Sequence, residues 1–338
     1  MKSTLDFQIE FFNSLKTVIP SYSSIVDEVA ETLEVSIDSA YRRIRGEKLL
    51  NLHELFLLSR KFNISIDKLF SLGSNTIIFK SNQNNFEPDN FINWMKDVLA
   101  QLEMVKSFSK KHIYFLLKDM PPWYHFYHKE LASFKFFFWK KSILYQEDSN
   151  GKKFLIEENQ HPELAHLQNK ILSTYNRIDS TEIWNLEGIN TTLRQIYLYE
   201  EMGLIPNPDD TLKLYSCLIE VVDHLEKMAE AGKKFHLGSS PDSESSDYQF
   251  FVNEFVLGDN TFFVELDDNK VTYLNYNVIY FMGTSDQEFN DGMHRNIKNL
   301  IKKSTQISQV GEKERKQFFN KLRKKIQAQA NLFKTTLE

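Results

Sequence analysis

The sequence predicts a mainly α protein. A five-helix unit over residues 1 to 72 is followed by a linker over 73 to 88, then by a larger helical region over 89 to 338 with a small antiparallel β meander near 248 to 282. Three observations predict this. Apolar residues recur at spacings of three and four along most of the chain, the mark of helices with one buried stripe. Gly, Ser, Asn and Pro gather between residues 71 and 88 and break that period twice. Near residue 248 the texture changes to β-branched and aromatic runs.

In the N-terminal unit, Val26, Val29, Ala30 and Leu33 fall at i, i+3, i+4 and i+7, so a helix there buries one stripe and exposes Asp27, Glu28 and Glu31. After Val35, Ser36 can cap a second helix whose Ala40 and Ile44 turn inward. Arg42, Arg45 and Lys48 then stay accessible, and Gly46 stands where a helix end needs a left-handed residue. Small Ala30 and Ala40 let the two helices approach closely. Leu52, Leu55, Phe56 and Phe62 mark a further helix, and Ser65 can cap a short fifth one.

Val29-Ala30, Val35-Ser36, the Arg-x-x-x-Gly of Arg42 and Gly46, and the closing Phe62-Asn-Ile-Ser-Ile-Asp-Lys-Leu-Phe70 give residues 6 to 72 a specific pattern. In that pattern, and in the order of five short helices, the segment resembles the phage-repressor (Xre/Cro-type) helix-turn-helix family. The resemblance covers about a fifth of the chain. It implies that the second helix of the motif enters the DNA major groove by its N-terminal residues while the first crosses the phosphate backbone. By position, Ser36, Ile37, Asp38, Ser39 and Arg42 would then face base edges, and Arg45 and Lys48 would sit nearer phosphates. Arg43 stands where the family buries an apolar residue, so Arg42 and Arg43 both remain candidates for reading bases. Glu34 stands where the family has the glycine of the turn and must adopt an unfavourable backbone angle. Val26 replaces a polar residue that often touches a phosphate.

Charge limits this reading to a patch. Residues 1 to 72 hold nine Lys/Arg against ten Asp/Glu, yet four of the nine lie within 42 to 48. An ordinary helical hairpin ending in arginines would show the same balance. The whole chain, at a formal net charge of −5, is unsuited to coating nucleic acid.

Beyond the linker, stripes beginning with Phe91, Trp94, Met95, Val98 and Leu102 recur through 131 to 144, 164 to 175, 193 to 204 and 212 to 228. After the polar break at 238 to 247, three runs over 248 to 282 are separated by Gly258-Asp-Asn and Asp267-Asp-Asn, both good turn sequences. Two helices, over 286 to 304 and 312 to 333, close the chain. The last carries Lys313, Arg315, Lys316, Lys321, Arg323, Lys324 and Lys325 beside an apolar stripe, the pattern of a docked helix with a solvated face.

No other motif carries chemistry by itself. His125 and His128 have a spacing that can share a metal on one helix face, but a third ligand is not apparent and Glu130 does not fall on the same face. Phe134-Lys-Phe-Phe-Phe-Trp139 fits a buried helix or the wall of an apolar pocket. Glycine-rich phosphate loops, nucleophile elbows and metal-protease motifs are absent from the sequence. The expectation is a protein that is not an enzyme and needs no cofactor. The single cysteine, Cys217, excludes an intrachain disulfide and fits a reducing compartment, and no apolar run reaches membrane-spanning length, so the expected location is cytoplasmic.

The expected function is sequence-specific binding of double-stranded DNA by a transcriptional regulator, with residues 89 to 338 forming a homodimer, sensing a small-molecule or protein effector, or both. The alternative is an interaction scaffold whose helix-turn-helix docks a protein partner.

Overall fold

The computed structural model describes residues 3–19, 23–62, 64–70, 77–81, 91–145, 147–159, 162–255, 258–277 and 280–337. The chain divides into two units, Met1–Ile78 and Phe79–Glu338. The linker expected over 73 to 88 lies outside the described residues except for 77–81.

The first unit contains α1 (Thr4–Val18), α2 (Ile25–Leu33), α3 (Ile37–Ile44), α4 (Leu52–Lys61) and α5 (Ile66–Phe70). Helix starts are marked by side chains that satisfy first-turn amides. Ser3 and Asp6 exchange reciprocal bonds at the head of α1, and Asn51 and Glu54 do so at α4. Ser36 accepts from the Ser39 amide at 3.3 Å to cap α3. Phe11, Phe12 and Leu15 of α1 pack on Val29, Ala30, Ala40 and Leu58, which ties the first four helices to one core.

Between α2 and α3 the chain turns on Glu34, at φ 52 and ψ 44. The Glu34 amide donates to the Glu31 carbonyl and the Val35 amide to the Ala30 carbonyl, the two-bond helix ending that glycine usually makes. Gly46 at φ +79 closes α3 the same way, its amide donating to Arg43 O and the Glu47 amide to Arg42 O. A Cβ on Gly46 would also lie 2.1 Å from Leu5 Cδ1, so glycine suits both the backbone and the space.

The second unit corrects the expected fold class. It is not a helical region with a small antiparallel meander but an eight-stranded mixed sheet flanked by helices, in the order β1-β7-β6-β5-β2-β3-β4-β8. Its strands are β1 (Lys80–Ser81), β2 (Lys111–Leu116), β3 (Asp179–Trp184), β4 (Tyr248–Val252), β5 (Thr261–Leu266), β6 (Asn269–Asn277), β7 (Tyr280–Thr284) and β8 (Thr305–Gln306). Strands β2, β3 and β4 run parallel, with Ile113 beside Ser180 and Glu182 beside Phe250. Only β5, β6 and β7 form the expected antiparallel meander, and β4 pairs elsewhere, with β3 and β8. The physical reason is burial on both faces. Central parallel strands are covered by helices above and below, so β2 and β3 lack the alternation that announces a half-exposed strand.

The helices are α6 (Phe91–Ser107), α7 (Lys129–Phe138), α8 (Pro162–Tyr175), α9 (Asn190–Glu201), α10 (Pro208–Ala231), α11 (Gln287–Lys302) and α12 (Glu312–Thr336). One face of the sheet, through Phe115, Trp184, Phe250 and Phe262, joins the large core that includes Leu218 and Val222 of α10 and Phe319 and Leu322 of α12. On the other face, Tyr114, Phe263, Ile183 and Phe251 lie under α11 through Ile297, Leu300 and Ile301. Among the described residues, no helix is long and apolar enough to cross a membrane.

Candidate nucleic-acid interface

Helix α3 begins at a capped serine and ends at a glycine, and between them its residues sort into two faces. Ala40 and Arg43 point inward, whereas Ile37, Asp38, Tyr41, Arg42, Arg45 and the following Lys48 are exposed. Ile37 is 59% exposed and Tyr41 45%, large values for apolar and aromatic side chains on a short helix. The Arg45 guanidinium lies 4.8 Å above the Tyr41 ring, a cation–π contact that holds both side chains on the same surface. Glu47 stands 3.9 Å from both Arg42 and Arg45, so a single carboxylate borders the arginine pair.

Arg43 behaves differently from the other basic residues. At 2% exposure it belongs to the interior, and it does not present a base-reading surface alongside Arg42. Its Nη2 donates to Glu54 Oε1 at 2.6 Å and its Nε to Glu54 Oε2 at 3.2 Å, a two-pronged pair between α3 and α4. Nη1 donates to the Ser39 carbonyl at 3.0 Å and to Ser39 Oγ at 2.5 Å. The Glu54 carboxyl is held below its usual range, first by the Arg43 hydrogen bond, with burial opposing.

The expected contact set therefore splits. Ser36 caps α3 while remaining exposed, and the half-buried Ser39 receives Arg43. Ile37, Asp38 and Arg42 share that face with Arg45 and Lys48. Tyr41 was missed from sequence, although it lies four residues after Ile37 and one before Arg42. Gln8 was missed as well. It is buried on α1, where its Nε2 donates to Arg43 O at 2.7 Å and to Lys48 O at 2.9 Å, while its Oε1 accepts from the Leu50 amide at 2.8 Å. One glutamine thus clamps the loop that leaves α3, and an isolated Gln in an amphipathic helix gives no sign of this.

The other basic and aromatic segments are partly spent on structure, with Lys313, Lys316, Lys321 and Lys324 of α12 left exposed. On α12, Arg323 pairs with Asp223 and Glu226 of α10, Arg315 donates to Ile307 O and Val310 O, and Lys325 donates to Leu186 O. Phe134, Phe137 and Phe138 pack on Phe154 and Tyr199, so the aromatic run of α7 fills a core. His125 does not converge with His128. It is buried, with Nδ1 3.1 Å from Pro122 O and Nε2 2.9 Å from Thr192 Oγ1, and burial first, then Lys135, pushes its pKa down.

Two buried polar groups in the second unit have no forewarning in the sequence. The fully buried Glu182 carboxyl of β3 accepts from Tyr124, from Tyr175 at 2.5 Å, from Tyr248 at 3.0 Å and from Trp184 Nε1 at 2.7 Å. Lys234 is also fully buried. Its Nζ sits 3.7 Å over the Tyr175 ring and donates to Ile178 O, and burial lowers its pKa to about 7 against the pull of Glu182 and Asp179. Every donor around Glu182 is itself within the core, so this network ties β3 to its neighbours. Comparison of the chain with protein-family models, with curated proteins and with solved structures finds no match.

Proposed function

We propose that the protein is a sequence-specific DNA-binding transcriptional regulator in which α3 reads a short half-site. The observation that carries this is the pairing of a fixed inner face with an open outer one. Arg43, Glu54 and Gln8 immobilise α3 and its exit loop, while Ile37, Asp38, Tyr41, Arg42, Arg45 and Lys48 project together. A short helix anchored from behind is what insertion into a major groove requires, because flexible side chains on a mobile helix lose too much order on binding. Ile37 supplies an apolar contact of the kind that suits a thymine methyl, and Arg42 a two-pronged donor for guanine. Asp38 accepts only, which suits the cytosine amino group.

One such helix reads few base pairs, so usable specificity needs two copies on a symmetric site, and the second unit is proposed to bring them together as a homodimer. Selection of bound sequences from a random DNA library by the full-length protein, followed by titration over a salt series, tests the reading. The expected outcome is an enriched, two-fold symmetric sequence whose affinity falls steeply with salt. Absence of enrichment together with a flat salt response would refute it.

A second reading draws on Leu49, Leu52 and Phe56, three exposed apolar residues, of which Leu52 is 85% exposed. They suit docking of a protein partner on the first unit. In that case Leu52→Glu abolishes partner capture and leaves DNA binding unchanged.

A further inference from the structure

A histidine, a carboxylate and a thiol from two separate helices meet in the second unit. His128 precedes the first residue of α7, Glu130 lies in its first turn, and Cys217 lies in the middle of α10. A ring nitrogen of His128, a carboxylate oxygen of Glu130 and Cys217 Sγ all lie within 4.8 Å of one another. The backbone explains how His128 and Glu130 reach one side. His128 is extended, at φ −126 and ψ 125, so the helical period that separates residues two apart does not apply to it. A second observation points the same way. His128 Nε2 is shut off from solvent and makes no hydrogen bond, and what faces it is a Glu220 carboxylate oxygen at 3.5 Å. A nearly buried ring nitrogen with carboxylates close by and no hydrogen bond of its own invites an explanation such as an ion.

We propose that His128, Glu130 and Cys217 bind a divalent zinc ion that ties the start of α7 to α10. The donor set is one nitrogen, one oxygen and one sulfur, which suits zinc and is unsuited to calcium or magnesium, whose ligands are oxygens. Zinc bonds of about 2.0 to 2.3 Å in a tetrahedron put ligand atoms about 3.5 Å apart, so side-chain rotation within the existing backbone closes the site. The 4.0 Å approach of Cys217 Sγ to a Glu130 oxygen already comes near that separation. On binding, the thiol releases its proton to solvent and the resulting thiolate, with the Glu130 carboxylate, neutralises the ion, so little net charge is left in the interior. Glu220, one turn along α10 and 3.5 Å from His128, borders the fourth position.

Cobalt is the probe, because it reports thiolate ligation and tetrahedral geometry optically. Full-length protein freed of metal by a chelator is titrated with cobalt and then with zinc. The expected result is a near-ultraviolet thiolate-to-cobalt band with strong visible bands, saturating at a single cobalt per chain and erased by zinc. Cys217→Ser removes the charge-transfer band, and His128→Ala and Glu130→Gln each weaken binding by at least about tenfold, as loss of a ligand does. A folded wild-type chain that develops no such band, or a band that persists in Cys217→Ser, overturns the assignment. If Cys217→Ser does not fold, Glu130→Gln decides, and unchanged cobalt affinity in it overturns the proposal.

Discussion

Glu54 of α4 grips Arg43 of α3 with both carboxylate oxygens, at 2.6 and 3.2 Å, while Oε2 also accepts from the Asn51 amide at 3.2 Å. The same carboxylate therefore caps its own helix and anchors the one before it. Arg43 is the residue whose direction the sequence left open, and its partner, eleven positions further on, decides it.

Removing either member strands a buried charge. Glu54→Ala is expected to destabilise the first unit by about 3 kcal/mol, and pairing it with Arg43→Met should restore most of the loss, since an apolar replacement of a whole buried pair is often neutral. Amide hydrogen exchange over α3 and α4 in the full chain measures both. Equal protection in wild type and Glu54→Ala would contradict the anchoring role. Because the folded carboxyl is held below its usual value of 4.5, the unfolded chain takes up the proton first as pH falls. The stabilisation is therefore complete above about pH 5 and drains away in acid, and Glu54→Gln should flatten that acid limb.

Glu34 holds a left-handed conformation at φ 52 that costs a non-glycine residue about 1 kcal/mol. Its side chain is exposed, so Glu34→Gly should stabilise the first unit by an amount of that order, less the added freedom of the unfolded chain. A decrease in exchange protection of α2 and α3 would show that the side chain makes a contribution larger than the strain.

On DNA, Arg42→Ala should reduce discrimination between the selected site and random sequence by about 1 to 3 kcal/mol. Lys48→Ala should weaken both alike and lower the salt slope by about 1. Tyr41→Ala removes the platform under Arg45, a phosphate-side residue, and should resemble Lys48→Ala in direction. Competition titrations at several salt concentrations separate these effects, and identical losses on both DNAs for all three variants would remove α3 from the reading face.

The buried lysines make stability rise with pH. Lys234 and Lys135 have folded values of about 7 against an ordinary 10.5. Between those limits the unfolded chain holds protons that the folded chain has released, so stability climbs from about pH 7 towards pH 10. A fully developed one-proton difference corresponds to about 1.4 kcal/mol per pH unit. All four tryptophans, Trp94, Trp123, Trp139 and Trp184, lie in the second unit, so their fluorescence in urea titrations follows it alone. Lys234→Met should show a shallower climb between pH 7 and 9 than wild type, and an unchanged slope would mean that Lys234 keeps its proton.

The first unit was legible because its information is local. Stripes three and four apart, Ser36 before α3 and Gly46 after it are all read within a few residues. The second unit was less so. Lys111-His-Ile-Tyr-Phe-Leu116 and Asp179-Ser-Thr-Glu-Ile-Trp184 are short, and Glu182 breaks the apolar run of the second with a carboxyl whose partners come from positions 124, 175 and 248. Only the assembled sheet makes it a sensible core residue. The His128, Glu130 and Cys217 cluster was hidden for a related reason, because a helical wheel cannot represent a residue that stands just outside the helix.

The sheet that displaced the expected helical region also sets an order of assembly. Phe115 of β2 lies beside Phe262 of β5, and β4 completes its pairing only with Thr305 and Gln306. A ribosome must therefore deliver the second unit as far as β5 before the central strand β2 has both neighbours, and as far as β8 before β4 has, whereas each helix of the first unit meets its partners within a few dozen residues. Pulse-labelled hydrogen exchange during refolding should protect α2 to α4 well before β2 and β3, and simultaneous protection would contradict this order. The helix proposed to read DNA would then exist, folded, while the rest of the chain is still being made.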